Sequence, residues 1–312
     1  MAGRKQIEES LEGIAGKIFY DELMSRRTSL RVGGNAAALV VVESEGQAAQ
    51  IVDRLGQAKI NYLPVGNLTN LIVRDGGYNG VIMLMSGMER INYQQVPEGE
   101  DHFVSAQSGA ALSKVVGFCA TCGLTGLEFC AGIPGSVGGA VWMNAGAFGK
   151  EIKDVVGEVS LIDPRGRKRT MRKEEISFAY RRTDLPAGTI ITDVLLRLKK
   201  GDSEQIKEKI REIIQIRMKK HPLDYPSAGS VFKNPPGMTA GRIIEEIGLK
   251  GMRCGGAEVS RQHANFIVNK GNACAADVLE LIGLIQKKAR EEKGVDLEPE
   301  VIVVGEDPCR KE

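Results

Sequence analysis

The sequence predicts an α+β chain in which small α/β lobes are followed by a separate α+β domain. Three observations carry this. Over the first 200 residues, short apolar runs of strand length alternate with segments of helical periodicity. Glycine supplies 38 of 312 residues, about 12% against a usual share of roughly 7%, and it gathers in turns after strands. The composition changes after Gly201, where a charged, helix-forming stretch begins. Hydrophobic and charged fractions of 42% and 26% exclude a disordered chain. A net charge of +2, from 42 basic and 40 acidic residues, excludes a nucleic-acid partner chosen by bulk charge.

Residues 4–15 place Ile7, Leu11 and Ile14 at helical spacing. Residues 37–42 are a continuous apolar run, hence a buried strand. Residues 47–58 carry Ile51, Val52 and Leu55 on one helical face, and residues 62–65 form a second strand. This β-α-β unit wants a right-handed crossover, and its second strand runs into the loop VGNLTN, at a carboxyl end where ligands bind in open α/β sheets. Residues 81–85 and 103–107 read as strands. Residues 112–122 read as a helix stopped by Gly123. Residues 132–149 then hold six glycines in eighteen positions. Residues 156–162 and 167–171, joined by DPRG, form a hairpin, and 189–198 a further strand.

Past Gly201, Asp202 or Ser203 caps a helix with the stripe Ile206, Ile210, Ile213 and Ile214. A domain boundary is expected near residue 200. Beyond it come a polar loop (YPSAGSVFKNPPG), a helix near 243–247, a strand at 265–268, a helix over 277–293 and a final strand at 300–304.

The N-terminal MAGRKQIEESLEG has no apolar core of signal-peptide length. No apolar run approaches the ~20 residues of a membrane span. A cytoplasmic location is expected, with no membrane, nucleic-acid or obligate protein partner. The cysteines are Cys119, Cys122, Cys130, Cys254, Cys274 and Cys309. Cys119 and Cys122 form one C-x-x-C inside a helix. No second pair exists, and only His102, His221 and His263 could complete a zinc site, so these thiols read as small core residues.

The glycine-rich stretch is not a Walker loop: Gly149 and Lys150 supply the GK, but Asn144 and Glu151 occupy the outer positions. Neither GSVGGA nor GNLTN fits G-x-G-x-x-G. What remains is backbone amides lining a diphosphate, which side chains would obstruct. Two loops, residues 66–71 and 132–139, could close on one extended dinucleotide. The alternative is a set of tight turns with no ligand.

RTSLRVGGNA, VGNLTNLIV, GLEFCAGIPGSVGGAVWMNAGAFG, YRRTD, YPSAGSVFKNP, AGRIIEEIGLKG and LEPEVIVVG follow one another in this order. Together they resemble the MurB family, the UDP-N-acetylenolpyruvoylglucosamine reductases of cell-wall synthesis, from about Thr28 to Gly305. The resemblance implies an FAD-binding fold of the vanillyl-alcohol-oxidase (PCMH) type, made of two α/β subdomains (28–88 and 89–200) after an N-terminal arm (1–27). A C-terminal α+β substrate-binding domain (201–312) follows. It further implies non-covalent FAD along Gly66, Asn67, Thr69, Asn70 and Leu71, and against Ile133, Pro134, Gly135, Ser136, Gly138, Gly139 and Asn144. The family's first loop reads G-x-G-S-N; here Leu68 replaces the second glycine and Thr69 the serine, so a slightly different backbone path is expected.

By resemblance Arg181, Ser230 and Glu300 are catalytic, and Lys220, Gly229, Lys233 and Asn234 face the substrate. Read bare, Arg181 is a surface cation rivalled by Arg182, Ser230 a turn hydroxyl, and Glu300 the start of a strand. The implied reaction uses NADPH as co-substrate and reduces an enolpyruvyl ether on UDP-N-acetylglucosamine. Arg181 suits the charge that develops on the adjacent carboxylate. Ser230 suits proton delivery. Glu300 helps as a protonated acid or by orienting a donor. Only Pro236, Gly237, Met238 and Thr239 separate Pro235 from Ala240, so the chain resembles the shorter class without a tyrosine-bearing insertion. Two rivals are another FAD oxidase or dehydrogenase of the same fold acting on a small hydroxy acid or alcohol, and a non-catalytic nucleotide-binding module. No histidine precedes His102, which counts against a His-tethered flavin.

Overall fold

The computed structural model describes residues 3–94 and 101–308, so Cys309 lies outside the described residues. The chain divides into two compact units. The first takes residues up to Tyr20, then Ala38–Asn67 and Gly80–Ile216; the second takes Asp21–Ala37, Leu68–Asn79 and residues from Arg217 onward. The units are interleaved in sequence, so no single cut near residue 200 separates them.

In the first unit, helix Arg4–Leu11 buries Ile7 and Leu11. Helix Glu45–Gln57 starts at Ser44, whose hydroxyl accepts the Gln47 N–H, and it buries Ala48, Ile51, Val52 and Leu55. Tyr62–Val65 pairs in parallel with residues 81–84. The sheet order is Ile18–Leu23, Asn35–Val41, Tyr78–Leu84, Tyr62–Val65. The two strands flanking the helix are therefore not neighbours; the crossover steps over Tyr78–Leu84.

A second sheet in this unit is antiparallel throughout, in the order Lys168–Arg172, Val156–Ile162, Ile190–Lys200, Asp101–Gln107, Ile91–Gln94. Asp163 builds its DPRG turn by accepting the N–H groups of Arg165 (2.9 Å) and Arg167 (3.0 Å). Helix Leu112–Thr121 covers the sheet through Leu112, Val115, Val116 and Cys119, and Gly123 stops it at φ 65°. Cys119 is buried, and burial pushes its thiol up to about 12. It is inert core, and no group among the described residues could hold a metal ion.

Helix Ser203–Lys220 is capped by Asp202, which accepts the Gln205 N–H at 2.9 Å. Ile206 and Ile213 are buried and Ile210 partly so, but Ile214 is 38% exposed. The expected four-residue stripe is thus narrower, because the helix touches the core along a single seam.

The second unit is built on the antiparallel sheet Ser227–Ser230, Phe266–Asn269, Ala257–Val259, Arg253–Cys254. Helices Ala240–Glu246 and Ala275–Lys293 share a core with it through Ile243, Ile244, Ile267, Leu281 and Ile285. The Asp75 carboxylate accepts the N–H groups of Ala275 and Ala276, both at 2.8 Å, at the N-terminus of the longer helix. Leu71–Val73 pairs in parallel with Ile302–Val304. The segment expected to be a polar loop contains the strand Ser227–Ser230. After it, Met238 N–H closes a turn on Pro235 O and Thr239 caps the next helix, with no room for an insertion. No described helix is long and apolar enough to cross a membrane.

Asp193 lies within the strand Ile190–Lys200. Burial pushes its carboxyl up to about 6, with Arg90 pulling it down and Glu45 pushing it further up. A carboxyl whose folded pKa exceeds its unfolded value destabilises once ionised, so stability should fall as pH rises from about 4 to above 6. Asp193→Asn should remove that slope and raise stability at pH 8 by about 1 kcal/mol, discounted for partial exposure. Urea midpoints at pH 5 and 8 decide it; an unchanged slope in the variant contradicts it.

Candidate active site

In the first unit, glycines permit contacts that side chains would block. A Cβ on Gly66 would stand 2.2 Å from Ser136 Oγ, and one on Gly138 would stand 2.6 Å from Ser108 Cβ. The turn is laced to residues 108–112: Gly138 N–H donates to Ser108 O (2.8 Å), Val137 N–H to Ala110 O (3.0 Å) and Leu112 N–H to Gly135 O (3.0 Å). Ser136 caps helix Val137–Trp142, its hydroxyl accepting from Gly139 N–H at 3.3 Å. The surface of the turn is Gly132 and Pro134, with Ile133, Gly135 and Gly139 half-buried; Ser136 and Gly138 lie beneath.

Arg181 sits between the short paired strands Phe178–Ala179 and Arg182–Thr183, at φ 58°. Its guanidinium donates to Gly146 O (3.1 Å) and lies 5.1 Å from the Tyr180 ring centroid. It is half-buried, whereas Arg182 is exposed. Asn144 holds this turn in place: its Nδ2 donates to Ala179 O (3.0 Å) and its Oδ1 accepts from Lys153 N–H (3.3 Å). Asn144 is fully buried. Its amide is engaged on both sides.

In the second unit, the carbonyls of residues 68–70 all turn inward. Leu68 O accepts from Ser29 N–H (3.2 Å), Thr69 O from Ser29 Oγ (3.3 Å) and Asn70 O from Ile302 N–H (2.9 Å). Ser29 Oγ also lies 2.7 Å from Ser227 O. Leu71 is 5% exposed and its backbone pairs with Ile302.

Ser230 is aimed by a bulge. Ser227 faces Val268 and Ser230 faces Phe266, three residues against two. Gly229 supplies φ 77° at this step. The extra residue puts Ser230 on the same sheet face as Phe266. Beside it, Glu300 N–H donates to Val231 O at 2.7 Å, and Asn70 Nδ2 donates to Glu300 O at 3.1 Å. Ser230, Glu300 and Asn70 are thus brought together, the first two through the backbone at Val231 and Asn70 through its side-chain amide.

Of the substrate-facing candidates, Lys233 is paired to Glu298 (Nζ to Oε1 2.6 Å). Asn234 Oδ1 accepts the Ala240 N–H at 3.0 Å. Lys220 is exposed in the last turn of helix Ser203–Lys220.

One group was missed from sequence. His221 and His263 pack on Phe266, with ring centroids 5.0 and 4.9 Å from it, and so flank the face that carries Ser230. Burial lowers both, His221 to about 4 with Arg217 nearby, so both imidazoles are neutral at neutral pH. Nothing in the local sequence brings residues 221 and 263 together.

The turn at residues 132–139 fits a dinucleotide such as FAD: its accessible part is Gly132, Ile133, Pro134, Gly135 and Gly139, main chain with little side chain to obstruct a diphosphate.

Leu68 reaches the loop geometry by strain, with φ 55° and only 6% exposure. Leu68→Ala keeps that strain and loses the burial, at about 2–4 kcal/mol. Leu68→Gly should recover about 1 kcal/mol of this by relieving the strain. Chemical denaturation of the two variants tests the order; alanine at least as stable as glycine contradicts it.

Comparison with known proteins agrees with both halves of this geometry. Residues 36–172 match the model of the FAD binding domain family. Residues 221–304 match that of the UDP-N-acetylenolpyruvoylglucosamine reductase C-terminal domain. The UDP-N-acetylenolpyruvoylglucosamine reductase of Syntrophus aciditrophicus is 46% identical over 96% of both chains. That of Geobacillus kaustophilus is 43% identical over 98% of this chain and 100% of its own. The crystal structure of the enzyme from Thermus caldophilus superposes with a TM-score of 0.76 at 36% identity, covering 93% of this chain and 98% of that one. The chain belongs to the UDP-N-acetylenolpyruvoylglucosamine reductase family.

Proposed function

We propose that Arg181, Ser230 and Glu300 carry the chemistry by which this chain reduces the enolpyruvyl ether of UDP-N-acetylglucosamine to the lactyl ether of UDP-N-acetylmuramate. The chain is an FAD-dependent oxidoreductase of peptidoglycan precursor synthesis that uses NADPH and a UDP-sugar substrate, as its family membership implies. FAD, when bound, carries the hydride from NADPH to the terminal carbon of the enolpyruvyl group.

The chain's residues handle what the hydride leaves behind. A carbon–carbon double bond accepts hydride only if the developing charge is stabilised. Here that charge spreads onto the adjacent carboxylate. Arg181 offers planar donors of the right geometry, and its held position on Gly146 O is what such a donor needs. Ser230 gives its hydroxyl proton to the carbon beside the carboxylate, completing the addition of one hydride and one proton. Glu300 acts as a protonated acid or orients a donor.

The observation that carries the reading is the bulge at Gly229, which aims Ser230 beside the Val231 carbonyl that holds Glu300. Lys220, Gly229, Lys233 and Asn234 bind the substrate in this reading, with Glu298 yielding Lys233 cheaply because Glu298 is 70% exposed. Functionally, residues 28–200 serve the flavin and 201–312 the substrate, in keeping with the two family matches. A cytoplasmic site of action goes with a UDP-sugar and NADPH, and no protein partner is part of the proposal.

Ser230→Ala removes the proton donor and leaves the hydride donor alone. Flavin reduction by NADPH should persist, while re-oxidation by the enolpyruvyl substrate slows by about 10²–10⁴-fold. Ser230→Cys should recover part of the loss. Stopped-flow measurement of both half-reactions decides it: equal slowing of the two, or of neither, removes Ser230 from the role.

A further inference from the structure

Glu300 precedes the strand Ile302–Val304, yet its backbone is held at both ends. Its N–H donates to Val231 O at 2.7 Å, next to Ser230, and its C=O accepts from Asn70 Nδ2 at 3.1 Å. Asn70 O in turn accepts from Ile302 N–H at 2.9 Å. Asn70 thus grips both sides of Val301, with its side chain on one peptide and its main chain on the next. All of these residues belong to the second unit.

The sequence resemblance placed the Asn70 amide along the diphosphate; the structure gives it a partner on Glu300. The loop at residues 68–70 is therefore tied, through one side chain, to the residue that carries the acid.

We propose that Asn70 is a positioning residue for Glu300, fixing the height of the carboxyl relative to Ser230 from the cofactor-binding loop. The proposal rests on the catalytic reading of Glu300 given above. A carbonyl released from Asn70 lets residues 299–301 shift, and a displacement near 1 Å at a reacting group costs up to about 10²-fold in rate.

The test uses holoenzyme variants Asn70→Ala and Asn70→Asp, the latter keeping the volume but turning the donor into an acceptor. Three quantities are read: FAD affinity from fluorescence titration of the apo-protein, kcat and KM for re-oxidation by the enolpyruvyl substrate at saturating FAD, and the same constants in a Glu300→Gln background. Positioning predicts that kcat falls by about 10- to 100-fold, that KM moves less than kcat, and that FAD affinity is weakened less than kcat. It also predicts that Asn70→Ala adds little once Glu300 is already Gln. A collapse of FAD affinity with kcat intact in the saturated enzyme overturns the proposal and restores Asn70 to the diphosphate. Additive losses in the double variant also overturn it. If Glu300→Gln and Glu300→Ala both re-oxidise at the wild-type rate, the catalytic reading of Glu300 fails first and the proposal with it.

Discussion

The Val231 carbonyl is the point on which the substrate side of the second unit turns. It receives the Glu300 N–H at 2.7 Å, immediately after the strand that ends at Ser230. Asn265 secures the next residue, accepting the Phe232 N–H at 2.9 Å and donating to Phe232 O at 2.8 Å. Residues 231 and 232 are thereby fixed from two directions. The proposed roles of Ser230 and Glu300 need this kind of support, because supporting bonds set the precision of a reacting group. The bulge at Gly229 completes the arrangement by choosing the face on which Ser230 emerges.

In the first unit the corresponding constraint is steric. The Gly66 backbone lies against the Ser136 hydroxyl and the Gly138 backbone against Ser108 Cβ, and a single methyl at either glycine would collide. Leu68, by contrast, accepts a left-handed backbone in exchange for a buried side chain. Both solutions give turns lined by main chain, the surface suited to a diphosphate. Arg181 is held by a carbonyl and an aromatic face, with buried Asn144 bracing its turn.

Much of this was legible in the sequence. The periodicities of residues 47–58 and 112–122 gave real helices, and the crowded glycines marked real close approaches. Contacts between residues distant in the chain were not legible. The strand Ser227–Ser230 was read as a loop because its bulge breaks the alternation that identifies strands. Asn70 and Glu300 are 230 positions apart, and His221 and His263, which meet edge to face at 5.5 Å and both pack on Phe266, are also distant in the chain. The burial of Asn144 and Leu71 likewise has no signal in the local sequence. The interleaving of the two units was hidden for the same reason, since residues 21–37 and 68–79 carry no compositional mark of the unit they join.

The most direct measurement is an anaerobic titration of the holoenzyme reduced with one equivalent of NADPH. On addition of UDP-N-acetylglucosamine enolpyruvate, the oxidised flavin absorbance should return in full at one equivalent, with the lactyl ether formed in equal amount. A flavin that stays bleached with this substrate, and recovers only with oxygen or another acceptor, would contradict the assigned reaction and favour a different oxidoreductase on the same fold.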